Sequence, residues 1–338
     1  MILAGGLSTR LYPLTKQVPK PLVPVVGEPN AAHLIRYLKA SGYDEIAINV
    51  FYLPDAIRET LDDGSRFGVR LEYLHERVLL GSAGALKQMA AFFGEATFVV
   101  VGCDDLTDLP LEALGAFHRE RNAIATIGLV ERERVEQYGV VVTDERGKIV
   151  EFQEKPPAGT ERSRKVNTGI YMFESEILDL IPAGEFYDFG KDVFPGLQRV
   201  GAAFYGFDAK GSYWCDIGTP DEYRRATRDV LEGRFRIPGA RAVGADPTAR
   251  IAASARIEGA VWIGRDAVVE DGVSIVGPSV IGDRAHVGRN ARVDASILWD
   301  GASIGPDARL TRSIVGIDFA VESGASLNDA IVANEPPM

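Results

Sequence analysis

Cysteine is nearly absent from this chain. Cys103 and Cys215 are the only two in 338 residues, which excludes a disulfide framework and fits a reducing compartment. Histidine is scarce too: His33, His75, His118 and His286 are scattered, and no Cys/His cluster has the spacing of a zinc site. No Ser/His or Cys/His pattern suggests nucleophilic catalysis. No apolar run reaches the roughly 18 residues that a membrane span needs, and no signal peptide precedes the first strand. The reading is a cytoplasmic protein without a membrane partner. Basic charge is in deficit, 37 Lys and Arg against 48 Asp and Glu, for a formal net charge of −11. That balance argues against wrapping a nucleic acid, although a local basic site can still hold a small anion. The opening is also short. Met1 to Ala4 is less than the usual strand of about 5–6 residues, which points to a start a few residues upstream.

What is present falls into two halves. Up to about residue 232, short apolar strands such as "DEIAINV", "VRLEYL" and "ATFVVVG" alternate with helical patterns such as "HLIRYLKASG" and "AGALKQMAAFFG". Alternation of this kind predicts an α/β fold, a Rossmann-like, mostly parallel sheet flanked by helices, with ligands at the carboxyl ends of its strands. Past residue 243 the period changes. Ile251, Ile257, Ile263, Val269, Ile275, Ile281, Val287 and Val293 are spaced by six residues. Leu298, Ile304 and Leu310 continue the step after losing one residue, and Val315, Val321 and Leu327 after losing another. A hexapeptide period predicts a left-handed parallel β-helix, with Gly264, Asp271, Gly272, Gly282, Asp283 and Gly288 at its corners. The expected domains are 1–232, a linker at 233–242, and 243–338. Separate periods imply separate cores, so a chain cut after about residue 240 is expected to stay soluble.

The stretch "AGGLSTRLYPLTKQVPKPL", residues 4–22, carries the first chemical signal. It matches neither the dinucleotide fingerprint nor the Walker A pattern. Its physics still points to phosphate. Paired glycines let backbone N–H groups converge on an anion, Arg10 adds a planar fork, and Lys20, between Pro19 and Pro21, adds a stiffly held point charge.

From Gly5 through Val25 this segment resembles the signature of the sugar-1-phosphate nucleotidylyltransferases, with Ser8 in place of the usual third glycine. A serine there implies that the position does not demand positive φ. "VLLGSAGALKQM", "FQEKPP", "VNTGIYMF", "FYDFGKDVFP" and "YWCDIGTPDEY" resemble later motifs of the family, in order, and the hexapeptide tail resembles its mannose-1-phosphate guanylyltransferase branch. The resemblance implies nucleotidyl transfer: a sugar 1-phosphate oxygen attacks the α-phosphorus of a nucleoside triphosphate and pyrophosphate leaves in line. It implies Mg²⁺ held by Asp104 and Asp216, and Arg10, Lys20 and Asp104 as catalytic groups. Leu3, Ala4, Gly5, Gly6, Ser8, Thr9, Arg10, Lys20, Glu76, Gly81, Ser82 and Asp104 would bind the nucleotide. Gly139, Glu154, Lys155, Asn167, Gly169 and Asp216 would bind the sugar phosphate. Cys103 and Cys215 each precede a metal candidate and are expected to point away into packing.

Glu76 bears on the base. Guanine presents two adjacent donors that one carboxylate accepts together, whereas uracil and thymine present one donor between two carbonyls. The expectation is GTP and mannose 1-phosphate, with a glucose-1-phosphate thymidylyl- or uridylyltransferase, or a non-catalytic regulatory homologue, as the alternatives. An acyltransferase would use a coil histidine, and His286 is the one candidate. A homo-oligomer is expected.

Overall fold

The computed structural model describes residues 1–239 and 243–335, so residues 240–242 of the expected linker lie outside the described residues. The chain forms two compact units. One comprises Met1–Leu7 and Leu34–Asp216, the other Ser8–His33 and the chain from Ile217 onward.

The first unit contains, in chain order, β1 (Ile2–Ala4), β2 (Glu45–Val50), β3 (Arg70–His75), β4 (Phe98–Gly102), β5 (Asp105–Thr107), β6 (Ala125–Glu131), β7 (Gly139–Thr143), β8 (Ile149–Glu154), β9 (Lys165–Phe173), β10 (Phe204–Asp208) and β11 (Trp214–Asp216). Nine of them make one mixed sheet in the order β8-β7-β9-β4-β1-β2-β3, with β6 pairing β9 and β10. β1 runs parallel to both β2 and β4. The chain therefore leaves β1 in one direction along the sheet and returns on its other side at β4. Such a reversal opens a crevice at the strands' carboxyl ends, where α/β folds bind ligands. The segments at this edge are Gly5-Gly6 after β1 and Gly102-Cys103-Asp104 at the end of β4. β2 is buried at five of its six residues, which explains its unbroken apolar run. Gly42 (φ 91°) ends the preceding helix, Tyr43 N donating to Leu38 O at 3.0 Å. Beneath the sheet, Phe173, Phe189, Phe194 and Phe204 stack in sequence with ring centroids 5.1–5.7 Å apart.

The second unit contains the coil, whose strands form parallel sheets of six, five and five. Val261 pairs with Ser279, 18 residues on, but Val280 pairs with Ile297, 17 on. Each residue lost from the sequence period is thus a coil shortened at one corner. There the side chains of Ser279, Ser296 and Ser313 form a ladder, accepting from Ser296 N, Ser313 N and Ala330 N at 3.0–3.2 Å. The apolar positions from Val261 to Val321 form one stack, whereas Ile251 and Ile257 at the coil's end are exposed. Gly282 is required by proximity: a Cβ would lie 2.5 Å from the carbonyl carbon of Trp299 in the next coil.

The coil keeps an apolar core of its own, but the signature segment packs against the outside of the coil. Gly27 (φ 79°) lies against the Trp262 ring, where a Cβ would come within 2.1 Å. Trp299 Nε1 donates to Tyr223 Oη at 2.9 Å, and Tyr223 Oη donates to Pro24 O at 2.6 Å. Lys16 Nζ reaches Glu335 at 2.7 Å. A chain cut near residue 240 would lose most of these partners. Tyr223 is fully buried, so Tyr223→Phe leaves one donor and one acceptor unsatisfied and should cost about 1–3 kcal/mol. Urea unfolding measures this; an unchanged midpoint would show that the relay carries no stability.

Candidate active site

The cleft begins with a polar residue in an apolar strand. Asn49 of β2 accepts from Ala4 N at 2.9 Å and donates Nδ2 to Glu76 Oε2 at 2.6 Å. Leu80 N donates to Glu76 Oε1 at 3.3 Å. Both Glu76 oxygens thus hold protein groups, and the residue is 2% exposed. Gly5 sits against this pair: a Cβ there would lie 2.5 Å from Glu76 Oε2 and 2.7 Å from Asn49 Nδ2. Gly6 is exposed and has nothing within 4 Å of a Cβ. A cleft of about 270 Å³ follows, lined by Leu3, Gly5, Gly6, Glu76, Gly81 and Ser82, all anticipated from the sequence, and by Asn49, Leu79 and Phe186. Ala4 lies buried behind it. Gly81 (φ 74°) opens the helix Gly81–Gln88 with no room for a Cβ beside Tyr187 O. The first turn of that helix is occupied by protein, since Ala83 N and Gly84 N both donate to Tyr187 O. Ser82 Oγ donates to Asp188 Oδ2 at 2.9 Å and accepts from Phe189 N at 3.0 Å. Ser82 therefore joins the "GSAGAL" motif to the "DFGKDVFP" motif.

Three carboxylates meet beyond β4. β11 pairs antiparallel with β5, setting Asp216 opposite Asp105. Asp105 is buried, accepting from Trp214 Nε1 at 2.9 Å and Gly102 N at 3.0 Å. Burial, followed by the charges of Asp104 and Asp216, pushes its carboxyl well above the usual carboxylate range. Asp104 and Asp216 are only half-buried, and Cys103 and Cys215 between them are buried. A bulge in β9 between Asn167 and Tyr171 brings Gly169 (φ 78°) onto this group, with a Cβ position 3.3 Å from Asp105 Oδ2. Asn167 shapes the bulge by accepting from Gly169 N at 2.9 Å and donating to Tyr171 Oη at 3.0 Å.

The remaining sugar-side residues form a third cluster. Gly139 faces Glu154 across β7 and β8, and Cβ atoms at Gly139 and Gly190 would lie 3.3 and 2.9 Å from Glu154 Oε2. Lys155 is exposed, 3.7 Å from Glu154, and adopts φ 47° although it is not glycine. Outliers of this kind concentrate at functional sites. Burial raises the Tyr171 phenol, and Asp105, Asp188 and Glu154 add to the effect, so this ring senses the carboxylates of all three clusters.

Ser8, Thr9, Arg10 and Lys20 belong to the second unit. Ser8 corrects the expectation drawn from its side chain: it is left-handed, at φ 55° and ψ 37°. Thr15 Oγ1 and Leu11 N both donate to its carbonyl, at 2.7 and 3.3 Å, and hold the serine in a conformation glycine would enter freely. Thr9 and Arg10 continue into the short 3₁₀ turn Thr9–Leu11, and Arg10 is exposed. Lys20 starts another such turn, Lys20–Leu22, after extended Pro19. His286, the acyltransferase candidate, pairs with Glu270 at 3.0 Å, which suits a surface ion pair.

Sequence reasoning missed Asn49, Asp188 and Trp214, and placed Asp104 rather than Asp105 among the site residues. A lone Asn inside "EIAINV" was the available signal for the first. Among the described residues no group of three or more His, Cys, Asp or Glu is arranged to hold a metal unaided. Mg²⁺ usually takes one or two carboxylates together with substrate phosphates. Half-buried Asp104 and Asp216 beside a carboxyl already pushed toward its neutral form fit that pattern.

Residues 1–233 match the family model for nucleotidyl transferases, and residues 240–336 that of the GMPPB C-terminal domain. A UTP–glucose-1-phosphate uridylyltransferase of Synechocystis sp. is 42% identical over 316 residues, spanning 88% of this chain and 81% of the relative. A mannose-1-phosphate guanylyltransferase of Mycobacterium tuberculosis is 32% identical over 300 residues, spanning 88% and 78%. A crystal structure from Bacillus anthracis, a candidate glucose-1-phosphate thymidylyltransferase in complex with a sucrose, superposes with a TM-score of 0.60 at 27% identity, covering 67% of this chain and 92% of that one.

The two glycines of the turn make a direct test of the cleft. Gly5→Ala should cost about 1–3 kcal/mol, the usual size of overpacking, and should lower activity by displacing Glu76 and Asn49. Gly6→Ala should leave stability unchanged. Thermal melts of the two variants check this, and equal melting temperatures would remove the close approach from the account.

Proposed function

The chain belongs to the sugar-1-phosphate nucleotidylyltransferase family, and from that premise we propose that it joins UTP to glucose 1-phosphate, forming UDP-glucose and pyrophosphate. An oxygen of the sugar 1-phosphate attacks the α-phosphorus, the bond to the β-phosphate oxygen breaks, and the electron pair leaves with pyrophosphate. No protein nucleophile takes part. The protein's work is to align two polyanions and neutralise the charge that builds at phosphorus.

In this reading the Gly5-Gly6 turn offers backbone N–H groups to the nucleotide. Arg10 supplies a planar fork and Lys20 a point charge for the phosphates. Glu154 accepts from a sugar hydroxyl, Lys155 binds the sugar phosphate, and Gly139, Asn167 and Gly169 shape the sugar pocket. Asp104 and Asp216 would hold Mg²⁺, which neutralises phosphate oxygens when bound. Since Arg10, Lys20, Asp104 and Asp216 are all present, a purely regulatory homologue is disfavoured.

The choice of base rests on Glu76. Its two oxygens accept from Asn49 and from Leu80 N, so the carboxylate is engaged in fixing the turn. Guanine would need that same group as its paired acceptor, whereas uracil does not. The 42% identity to a uridylyltransferase supports the same side. A second reading, GTP with mannose 1-phosphate, is supported by the place of Glu76 in the cleft wall and by the guanylyltransferase relative.

Pyrophosphate release measured with five nucleoside triphosphates against glucose and mannose 1-phosphates separates the two. UTP with glucose 1-phosphate should give the highest kcat/KM, and Glu76→Gln should lower stability without moving the order of nucleotides. A preference for GTP that falls by about 10- to 100-fold in Glu76→Gln, the size of a lost paired base contact, would overturn the UTP reading in favour of the second.

A further inference from the structure

The polar side chains that line the cleft beside the Gly5-Gly6 turn are all engaged within the protein. Asn49 is taken by Ala4 N and Glu76, and both Glu76 oxygens accept from protein groups. Ser82 Oγ is shared between Asp188 and Phe189 N. What the cleft still offers from its side chains is apolar: Leu3, Leu79 and the ring of Phe186. A flat ligand group entering between such walls is held by its faces, and backbone groups are left to meet its edge.

Phe186 is 62% exposed and is the one exposed phenylalanine among the described residues. Phe189, three residues on, stacks against Phe173 and Phe194, whereas Phe186 has no ring partner among the described residues. A lone apolar side chain on a surface is ordinary, but this one stands in the wall of a cleft and on a fixed support. Tyr187 N donates to Leu80 O at 2.8 Å, and Tyr187 O accepts from Ala83 N and Gly84 N at 3.0 and 3.1 Å. The Phe186 Cζ lies 3.2 Å from where a Cβ of Gly81 would stand, so a side chain at 81 would press on the ring. The main-chain bonds and the glycine together hold the ring at the start of the helix Gly81–Gln88 while most of its surface stays open.

We infer that Phe186 is the platform on which the base of the nucleoside triphosphate stacks. The inference rests on the reading that this cleft takes the nucleotide, but not on which base it carries, because every base has a π-face. An aromatic ring meets a base in an offset stack, whereas an aliphatic side chain of similar bulk only covers area. A phosphate chain without a base has nothing to lay on the ring. Phe186 therefore contributes to affinity for the nucleoside end of the substrate and not for its phosphates.

UTP, GTP and inorganic tripolyphosphate, each with Mg²⁺, are titrated calorimetrically into the full chain and its variants. The nucleotide that the wild type binds better should lose about 10-fold in affinity in Phe186→Ala, the size expected for a base-stacking aromatic, and several-fold in Phe186→Leu. Phe186→Tyr should restore wild-type binding, since it keeps the ring. Tripolyphosphate should bind all four proteins equally, and their melting temperatures should match because the ring is exposed. Val78→Ala, at an exposed apolar residue outside the cleft lining, should bind the nucleotide as the wild type does. Equal nucleotide affinity in the wild type and Phe186→Ala would overturn the platform alone, and so would a parallel loss of tripolyphosphate binding. A wild type that binds neither nucleotide more tightly than tripolyphosphate would overturn the nucleotide cleft as well. The same loss read on GTP would support the platform while overturning the choice of UTP.

Discussion

The meeting of Asp104, Asp105 and Asp216 at the edge of the sheet is the constraint around which the rest of the first unit is arranged. A buried carboxyl beside two others cannot hold its charge cheaply, and its proton affinity rises accordingly. The fold keeps the group in place with specific partners. Trp214 Nε1 and Gly102 N bind Asp105, and the bulge of β9 lays Gly169 against it. Removing any one of these would leave a buried acceptor unsatisfied or displace a strand end. Beside this carboxyl, Asp104 and Asp216 stay only half-buried at the same edge. The reversal of strand order between β1 and β4 puts the glycine turn and this acidic edge at neighbouring strand ends.

The second unit answers a different need. A segment such as Ser8–His33, with five prolines, short 3₁₀ turns and one pair of two-residue strands before a helix begins at Asn30, has few backbone hydrogen bonds of its own to fix its shape. The coil supplies the missing definition. Its regular stacking places Trp262 and Trp299 at fixed positions, and these meet Gly27 and the Tyr223–Pro24 pair. The β-helix therefore acts as a support for the segment that carries Arg10 and Lys20, which gives a physical reason for one chain to contain both folds.

Legibility from sequence followed the range of the forces involved. The coil was readable because each hexapeptide step repeats one environment, so that even its two lost residues appear as a change in strand offset from 18 to 17. The cleft residues Gly5, Gly81 and Ser82 were readable because their motifs are local. Asn49 and Trp214 were not, because each acts on a partner far along the chain: Asn49 on Glu76, and Trp214 on Asp105. Asp104 and Asp105 are adjacent in an acidic doublet, and only burial tells the half-open carboxylate from the enclosed one. Ser8 misled for a related reason. Its side chain disfavours the left-handed region, but two hydrogen bonds to its carbonyl outweigh that preference.

The central claim is that Asp104 and Asp216 receive a divalent cation while Asp105 shapes the site from behind. The most direct measurement is the Mg²⁺ concentration for half-maximal pyrophosphate release in the wild type, Asp104→Asn and Asp105→Asn. Asp104→Asn should raise that concentration by 10-fold or more, in line with the loss of one of two carboxylate ligands. Asp105→Asn should lower thermal stability while leaving the Mg²⁺ requirement within about 3-fold of wild type. An unchanged Mg²⁺ requirement in Asp104→Asn, with the large shift appearing in Asp105→Asn, would contradict the account.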